Sequence, residues 1–252
     1  MPRFFVRRSQ IDNDTVLLCG DDAHHIARSL RMAVGDKITV CDMQGNEYGC
    51  AITEFCDDKE VKAKIESVKA PENEPPTRIR LFQALPKGDK LDTVIQKAVE
   101  CGASEIIPFE SERCVVRMKP DAEQRKTERR NRIAEEAAKQ CGRSLLPEVK
   151  ETVSFSQMLE MIKNDGICLF CYEGDGTEPL GQVLSREIEG LFDEEKNSIS
   201  VIIGSEGGFS LAEAERIINT GAVSVGLGKR ILRTETASGF VLACLVYALE
   251  LQ

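Results

Sequence analysis

At 252 residues, with 42% hydrophobic and 30% charged side chains and no tryptophan, the chain can bury a full core in one large or two smaller domains, and a disordered or low-complexity chain is excluded. A net charge of −9 argues against a uniformly basic nucleic-acid binder, but the acid is local. Residues 1–150 carry 26 basic and 26 acidic side chains, residues 151–200 carry 3 and 11, and residues 113–143 reverse the balance with 10 and 5.

The opening MPRFFVRRSQ is charged within three residues and lacks an apolar stretch, which argues against a signal peptide and for a cytoplasmic protein. FFV, TVLLC, KITVCD, EYGCAITEF and EVKAKIESV then read as five short strands, with one helix, DDAHHIARSLR, expected to be capped by Asp21. That is too little for a two-sheet sandwich and enough for a small barrel. APENEPPT, with Pro75-Pro76 excluding helix and ladder, marks a boundary, so the expected domains are 1–72 and 73–252.

Beyond it the rhythm is strand, helix, strand. RIRLFQAL is a strand, and GDKLDTVIQKAVECG is a helix that buries Leu91, Val94, Ile95 and Ala98 and stops at Gly102. EIIPF is a strand, and a basic helix over Ala122–Cys141 is expected to bury Ile133, Ala137 and Cys141. GICLFCY, SISVIIG and AVSVGLG are further strands, separated by the helix SLAEAERIINTG and followed by a terminal helix. This alternation predicts an α/β domain with a mostly parallel sheet. The longest uncharged apolar run, Gly239–Leu249, falls well short of the roughly 20 residues of a membrane span. Apolar on every face, it needs cover from its own sheet and from a second subunit, which predicts a homodimer.

The 10 cysteines are scattered, and Cys168 and Cys171 form the one C-x-x-C pair. That pair lies inside a strand instead of opening a helix, and the two histidines, His24 and His25, are remote in sequence. Reduced core cysteines and no metal site are expected.

Two loops, GSEGGF (Gly204–Phe209) and GLGKRILR (Gly226–Arg233), leave the carboxyl ends of their strands on the same side of a parallel sheet, where open α/β folds bind ligands. The first is not a P-loop, since Phe209 stands where lysine is required. Ser210 and Glu213 form a capping box that fixes the start of the next helix. Glu206 disfavours phosphate and tolerates a cation, whereas Leu227, Ile231 and Leu232 offer an apolar wall beside Arg233. A ligand with a ring, an amino-acid end and a positive centre suits both loops. Glu206 is either a ligand contact or an acceptor that fixes its loop at a helix start.

GSEGGF with LGKRILRTETA resembles the SPOUT class of S-adenosylmethionine-dependent RNA methyltransferases. PRFFV, HHIARSLRMAVGDKI, LPKGDKLDTVIQKAVECGASEIIPFESERCVV and RIAEEAAKQCGRSLLPEV narrow the resemblance to the 16S ribosomal RNA uridine-N3 methyltransferase family, over nearly the whole chain. The resemblance implies an N-terminal PUA-like β-barrel that binds RNA, a C-terminal α/β domain tied in a trefoil knot, a homodimer and 16S rRNA within the small ribosomal subunit as substrate. It assigns Gly204, Ser205, Glu206, Gly207 and Gly208 to one cofactor loop, Leu227, Gly228, Ile231, Leu232 and Arg233 to another, and Tyr172 and Glu173 to a third. The family usually has proline at Ser205, leucine at Cys101 and serine at Cys141. S-adenosylmethionine carries an activated methyl group, so the protein's task is to hold uracil N3 in line with it, and Arg233 is the expected stabiliser of the N3 anion. Arg3, Arg7, Arg28 and Arg31 of the barrel, with Lys87, Arg113 and Arg143 near the cleft, are the expected RNA contacts. A ribose 2′-O-methyltransferase acting on tRNA, a non-catalytic RNA-binding protein and a thiol oxidoreductase on Cys168 and Cys171 are the rival readings.

Overall fold

The computed structural model describes residues 1–57, 59–118, 120–163, 165–187 and 198–251, so part of the acidic stretch 151–200 lies outside it. The chain divides into two compact units, Met1–Glu74 with Ala138–Leu146, and Pro75–Ala137 with Pro147–Gln252. The division after Glu74 falls within the proline-rich stretch. Ala138–Leu146, placed by sequence in the second domain, packs with the first.

The first unit is a mixed six-stranded sheet in the order β1 (Arg3–Phe5), β4 (Lys37–Cys41), β5 (Glu47–Asp57), β6 (Glu60–Lys69), β3 (Thr15–Cys19), β2 (Ile11–Asp12). Only β1 and β4 run parallel; the other ladders are antiparallel. Alternation sets the core: β3 buries Val16 and Leu18, β6 buries Val61 and Ala63, and Phe4, Ile38, Val40 and Ile52 join them. The helix α1 (Asp21–His24) runs into a π-turn over His25–Ser29 and adds Ala23 and Ile26. Its cap is not Asp21, as expected, but Gly20 at φ 64°, a conformation open to glycine. Asp21 and Asp22 stand in the first turn, at the positive end of the helix.

The second unit is one parallel sheet in the order β10 (Val153–Ser154), β8 (Glu105–Glu110), β7 (Arg78–Ala84), β13 (Ser198–Ile203), β11 (Ile167–Cys171), β14 (Val223–Gly226), β12 (Glu178–Pro179), with β9 (Glu148–Val149) also on β8. The sheet is covered on both faces at β7, β8 and β13, where nearly every residue is buried, the polar Arg80, Gln83, Glu105 and Ser200 included. The covering helices are α2 (Lys90–Glu100), α3 (Pro120–Cys141), α4 (Phe155–Ile162), α5 (Leu180–Glu187), α6 (Leu211–Ile218) and α7 (Thr234–Glu250). α2 buries the four expected residues, and Gly102 ends it at φ 84°. α3 departs from expectation. Its buried side is formed by Ala134, the expected Ala137, Ala138 and the Glu123–Arg130 ion pair, while Ile133 is half-buried and Cys141 is exposed.

At the amino end of the strands, Arg80 Nε donates to Glu105 Oε2 at 2.9 Å and its Nη1 to Asp165 Oδ1 at 2.6 Å, while Arg78 Nη2 reaches Glu105 Oε1 at 2.6 Å. Burial pushes the Glu105 carboxyl up, but the two arginines outweigh it and hold it below the usual carboxylate range. Cys168 and Cys171 are half-buried within β11 and unpaired; burial lifts both thiols, Cys168 to about 12. Cys19, Cys56 and Cys141 are exposed, contrary to the expectation of core cysteines. α7 buries Val241, Leu242 and Leu245 and leaves Phe240, Tyr247 and, just beyond its end, Leu251 exposed at 43%, 56% and 68%, so the chain alone covers one side of it. No helix is long and apolar enough to cross a membrane, and no three His, Cys, Asp or Glu side chains converge among the described residues.

Candidate active site

The carboxyl ends of β13, β11 and β14 open into a pocket of about 520 Å³ in the second unit. Its walls are three loops: residues 171–177 after β11, Gly204–Phe209 after β13, and Leu227–Arg233 after β14. Of the expected cofactor residues, Tyr172, Glu173, Gly204, Ser205, Glu206, Gly208, Leu227, Gly228, Ile231, Leu232 and Arg233 line it, and Gly207 does not. Gly207 instead backs onto the loop after β8. A Cβ there would lie 2.9 Å from Arg113 Cβ, and its carbonyl accepts from Arg113 Nη1 at 3.1 Å.

The first loop is shaped from below by an aromatic row. Phe209 is 5% exposed and lies edge-on to Phe170 at 5.1 Å, and Phe170 stacks on Tyr172 at 5.0 Å. A Cβ on Gly204 would sit 2.9 Å from Phe209 Cε2, so glycine there lets the loop rest on the ring. The loop then turns through Gly208, at φ 62°, whose N–H returns to the Ser205 carbonyl at 2.9 Å. The helix beyond starts as expected: Ser210 Oγ accepts from Glu213 N–H and Glu213 returns to the Ser210 N–H. Glu213 also accepts from the Glu112 N–H at 2.7 Å, which ties in the loop after β8.

Glu206 is the acceptor at a helix start. Its carboxylate takes the Lys87 N–H at 3.2 Å and Lys90 Nζ at 2.8 Å, both at the start of α2. Burial pushes this carboxyl up, yet the Lys90 hydrogen bond and the backbone N–H groups hold it below the usual range. Glu206 is therefore neutralised by the protein. Glu173, exposed beside Gly208 and without an ion-pair partner among the described residues, is the acid left to face a positive ligand.

The second loop carries more charge than the one cation sequence reasoning selected: Lys229 and Arg230 line the pocket along with Arg233, and Lys90 joins from α2. Arg233 is exposed, and its backbone caps α7, its carbonyl accepting the Thr236 and Ala237 N–H groups at 2.9 and 2.8 Å. Thr177, Phe209 and Thr234 also line the pocket, and none of the three has a local sequence signal beyond its place beside a glycine or at a helix start.

The expected RNA contacts separate into two kinds. Arg7, Arg28 and Arg31 are exposed on the first unit, and Lys87 and Arg113 are exposed on the second. Arg3 and Arg143 are not available. Arg3 Nη1 donates to Glu47 Oε1 at 2.7 Å and to Cys41 Sγ at 3.1 Å, with its side chain 11% exposed. Arg143, 4% exposed, gives its Nε to Glu74 Oε2 at 2.8 Å. Glu74 also accepts the Ser144 and Leu145 N–H groups, so the two acids dock 138–146 within the first unit. Stripping either arginine for a phosphate would leave a half-buried carboxylate without its cation, so both are structural.

Residues 73–246 match the family model of an RNA methyltransferase domain and residues 18–66 that of an RNA methyltransferase PUA domain. The chain is 35% identical to the ribosomal RNA small subunit methyltransferase E of Bacillus subtilis, across 100% of this chain and 98% of that one. It is 31% identical to the protein of that name from Mesomycoplasma hyopneumoniae, across 96% and 97%. The crystal structure of a ribosomal RNA small subunit methyltransferase E from Neisseria gonorrhoeae bound to S-adenosyl methionine superposes with a TM-score of 0.83 at 28% identity, covering 98% of this chain and 97% of that one. With the family model spanning most of its length and the three-loop pocket inside it, the chain belongs to the RNA methyltransferase family.

Proposed function

We propose that this protein methylates N3 of a uridine in 16S rRNA with S-adenosylmethionine, acting as a cytoplasmic homodimer on RNA of the small ribosomal subunit. The observation that carries the reading is the convergence of the two glycine-rich loops and Arg233 on one pocket. Its volume suits a small cofactor. Gly204 and Gly208 present bare backbone, Ile203, Leu227 and Ile231 present an apolar wall for a ring, and Glu173 presents a carboxylate, without an ion-pair partner among the described residues, for an ammonium or sulfonium.

S-adenosylmethionine supplies a methyl group on a sulfonium, ready for displacement. The protein's residues do the rest by placement, an effect worth up to about 7–11 kcal/mol. Arg233 stands at the mouth, where it stabilises negative charge on a uracil as N3 loses its proton. Lys229 and Arg230 add to the positive field there and also suit the flanking phosphates. Arg7, Arg28 and Arg31 on the first unit, and Lys87 and Arg113 on the second, are the RNA contacts of the proposal. Residues 1–72 act as the RNA-binding part and 73–252 as the methyltransferase, with a trefoil-knotted backbone. The exposed Phe240 and Tyr247 of α7, with Leu251 just beyond its end, supply the self-complementary patch of the homodimer.

Replacing Arg233 with alanine tests the reading. Turnover on 16S rRNA should fall by at least about 100-fold, the scale of losing one charge-stabilising group. Cofactor affinity by calorimetry should stay within about threefold, roughly half a kcal/mol. Full activity in the variant refutes the role of Arg233. Loss of a ribose 2′-O-methyl group from tRNA with N3-methyluridine of 16S rRNA intact, in mass spectrometry of RNA from cells lacking the protein, refutes the substrate.

A further inference from the structure

The two cofactor loops are joined by a buried polar chain that runs through a single hydroxyl. Gln83, fully buried near the carboxyl end of β7, uses its Nε2 protons on the Ala84 carbonyl and on Thr234 Oγ1, both at 2.9 Å. Thr234, the first residue of α7 and 5% exposed, passes its one proton to the Gly204 carbonyl at 2.6 Å. The direction of the chain is therefore fixed. With its one proton given to Gly204, the hydroxyl can only accept from Gln83, which sets the orientation of the amide. The Gly204 carbonyl also receives a longer approach from Gln83 Nε2, at 3.4 Å.

The placement is what makes the hydroxyl more than a core hydrogen bond. Gly204 opens the first cofactor loop, and Thr234 follows Arg233, which closes the second. The two are 30 residues apart in sequence, and Thr234 Oγ1 to Gly204 O is a direct side-chain link between the loops. This hydrogen bond restrains the separation of the two loops. The same bond fixes the peptide from which the Arg233 side chain departs.

We infer that Thr234 is a positioning residue, whose hydroxyl holds the two loops at the spacing the cofactor requires. The inference rests on reading the pocket as the S-adenosylmethionine site, but the loop spacing itself can be measured without ligand. Threonine to valine keeps shape and branching and removes the hydroxyl, leaving a Gln83 N–H and the Gly204 carbonyl without that partner; threonine to serine keeps the hydroxyl.

The test compares Thr234→Val, Thr234→Ala and Thr234→Ser in the full chain by hydrogen exchange without ligand and by calorimetric titration with S-adenosylmethionine. In Thr234→Val and Thr234→Ala, amides of 204–208 and 228–237 should exchange at least tenfold faster than in the wild type, and cofactor affinity should fall at least tenfold. Thr234→Ser should restore both to within threefold. Loop exchange and affinity unchanged in valine, or lost equally in serine, overturn the inference. So does failure of both valine and alanine variants to fold, which would make the hydroxyl a requirement of the fold. A wild type that binds no S-adenosylmethionine defeats the reading of the pocket, and the exchange comparison still decides the role of Thr234.

Discussion

Replacing Gly204 with alanine puts one methyl group where the structure has the Phe209 ring. The new Cβ would stand 2.9 Å from Cε2 and 3.3 Å from Cδ2 of that ring, and 3.3 Å from Gly208 Cα. Real Cβ contacts are longer, so either the ring or the loop must move. The ring has little room: Phe209 is 5% exposed and is held by Phe170 at 5.1 Å and Phe109 at 6.2 Å. The loop therefore lifts, against the Thr234 hydrogen bond on the Gly204 carbonyl. Overpacking of this kind costs about 1–3 kcal/mol. For a chain of this size that is a melting temperature lower by about 2–12 °C, at roughly 2–4 °C per kcal/mol. A displacement of about 1 Å at a positioning loop costs up to about 100-fold in rate. Differential scanning calorimetry and methyl transfer to 16S rRNA measure the two. A second change, Phe209→Leu, removes the atoms in conflict, so in the double variant the loss should be smaller than the sum of the two single losses. Wild-type melting and wild-type activity in Gly204→Ala, or strict additivity with Phe209→Leu, would refute the steric argument.

Glu105 is held below its usual carboxylate range against burial by Arg80 and Arg78, so its contribution to stability is complete above the unfolded carboxyl value near pH 4.3 and is lost as pH falls through the lower folded value. Glu105→Gln should destabilise the protein by about 3 kcal/mol at pH 7 in denaturant titrations, with the difference from wild type shrinking below about pH 4; a difference that does not change with pH contradicts the assignment. Thiol labelling of the native protein should modify Cys56 and Cys141, which are exposed, and spare Cys168, lifted to about 12, together with buried Cys41 and Cys50; prompt labelling of Cys168 contradicts the burial argument. Phe240→Lys with Tyr247→Lys should convert the proposed homodimer to monomer in sedimentation velocity, and an unchanged sedimentation coefficient removes α7 as the interface.

What the sequence disclosed was local or periodic. The Ser210–Glu213 capping box, the buried face of α2 and the Gly102 stop follow from residues three or four apart, and they stand in the structure as read. The two pocket loops were legible because glycine clusters follow apolar strands. Long-range partners were not. Arg3 and Glu47 are 44 residues apart, and Glu206 and Lys90 are 116, so nothing in the neighbourhood of either charge distinguishes an internal pair from a ligand contact. Asp21 misled because glycine can itself occupy the cap, leaving the acid one position inside. Ile133 and Cys141 misled because the alanines between them fit closer to the neighbouring surface. The two-residue strands β9, β10 and β12 are too short to carry an alternation.

The central pair of the parallel sheet, β7 with β13, joins residues 78–84 to residues 198–203. Only one side of β7 can be completed locally, because β8 supplies one neighbour early and β13 supplies the other only after more than a hundred further residues. During synthesis at about 5–20 residues per second, β7 waits about 6–24 s with one hydrogen-bonding edge unmatched. The nascent chain thus displays a sticky apolar strand for seconds. Every pocket loop is translated after residue 170, so a chain interrupted in its last third carries a sheet with no site and is a substrate for chaperones and proteases before it is an enzyme.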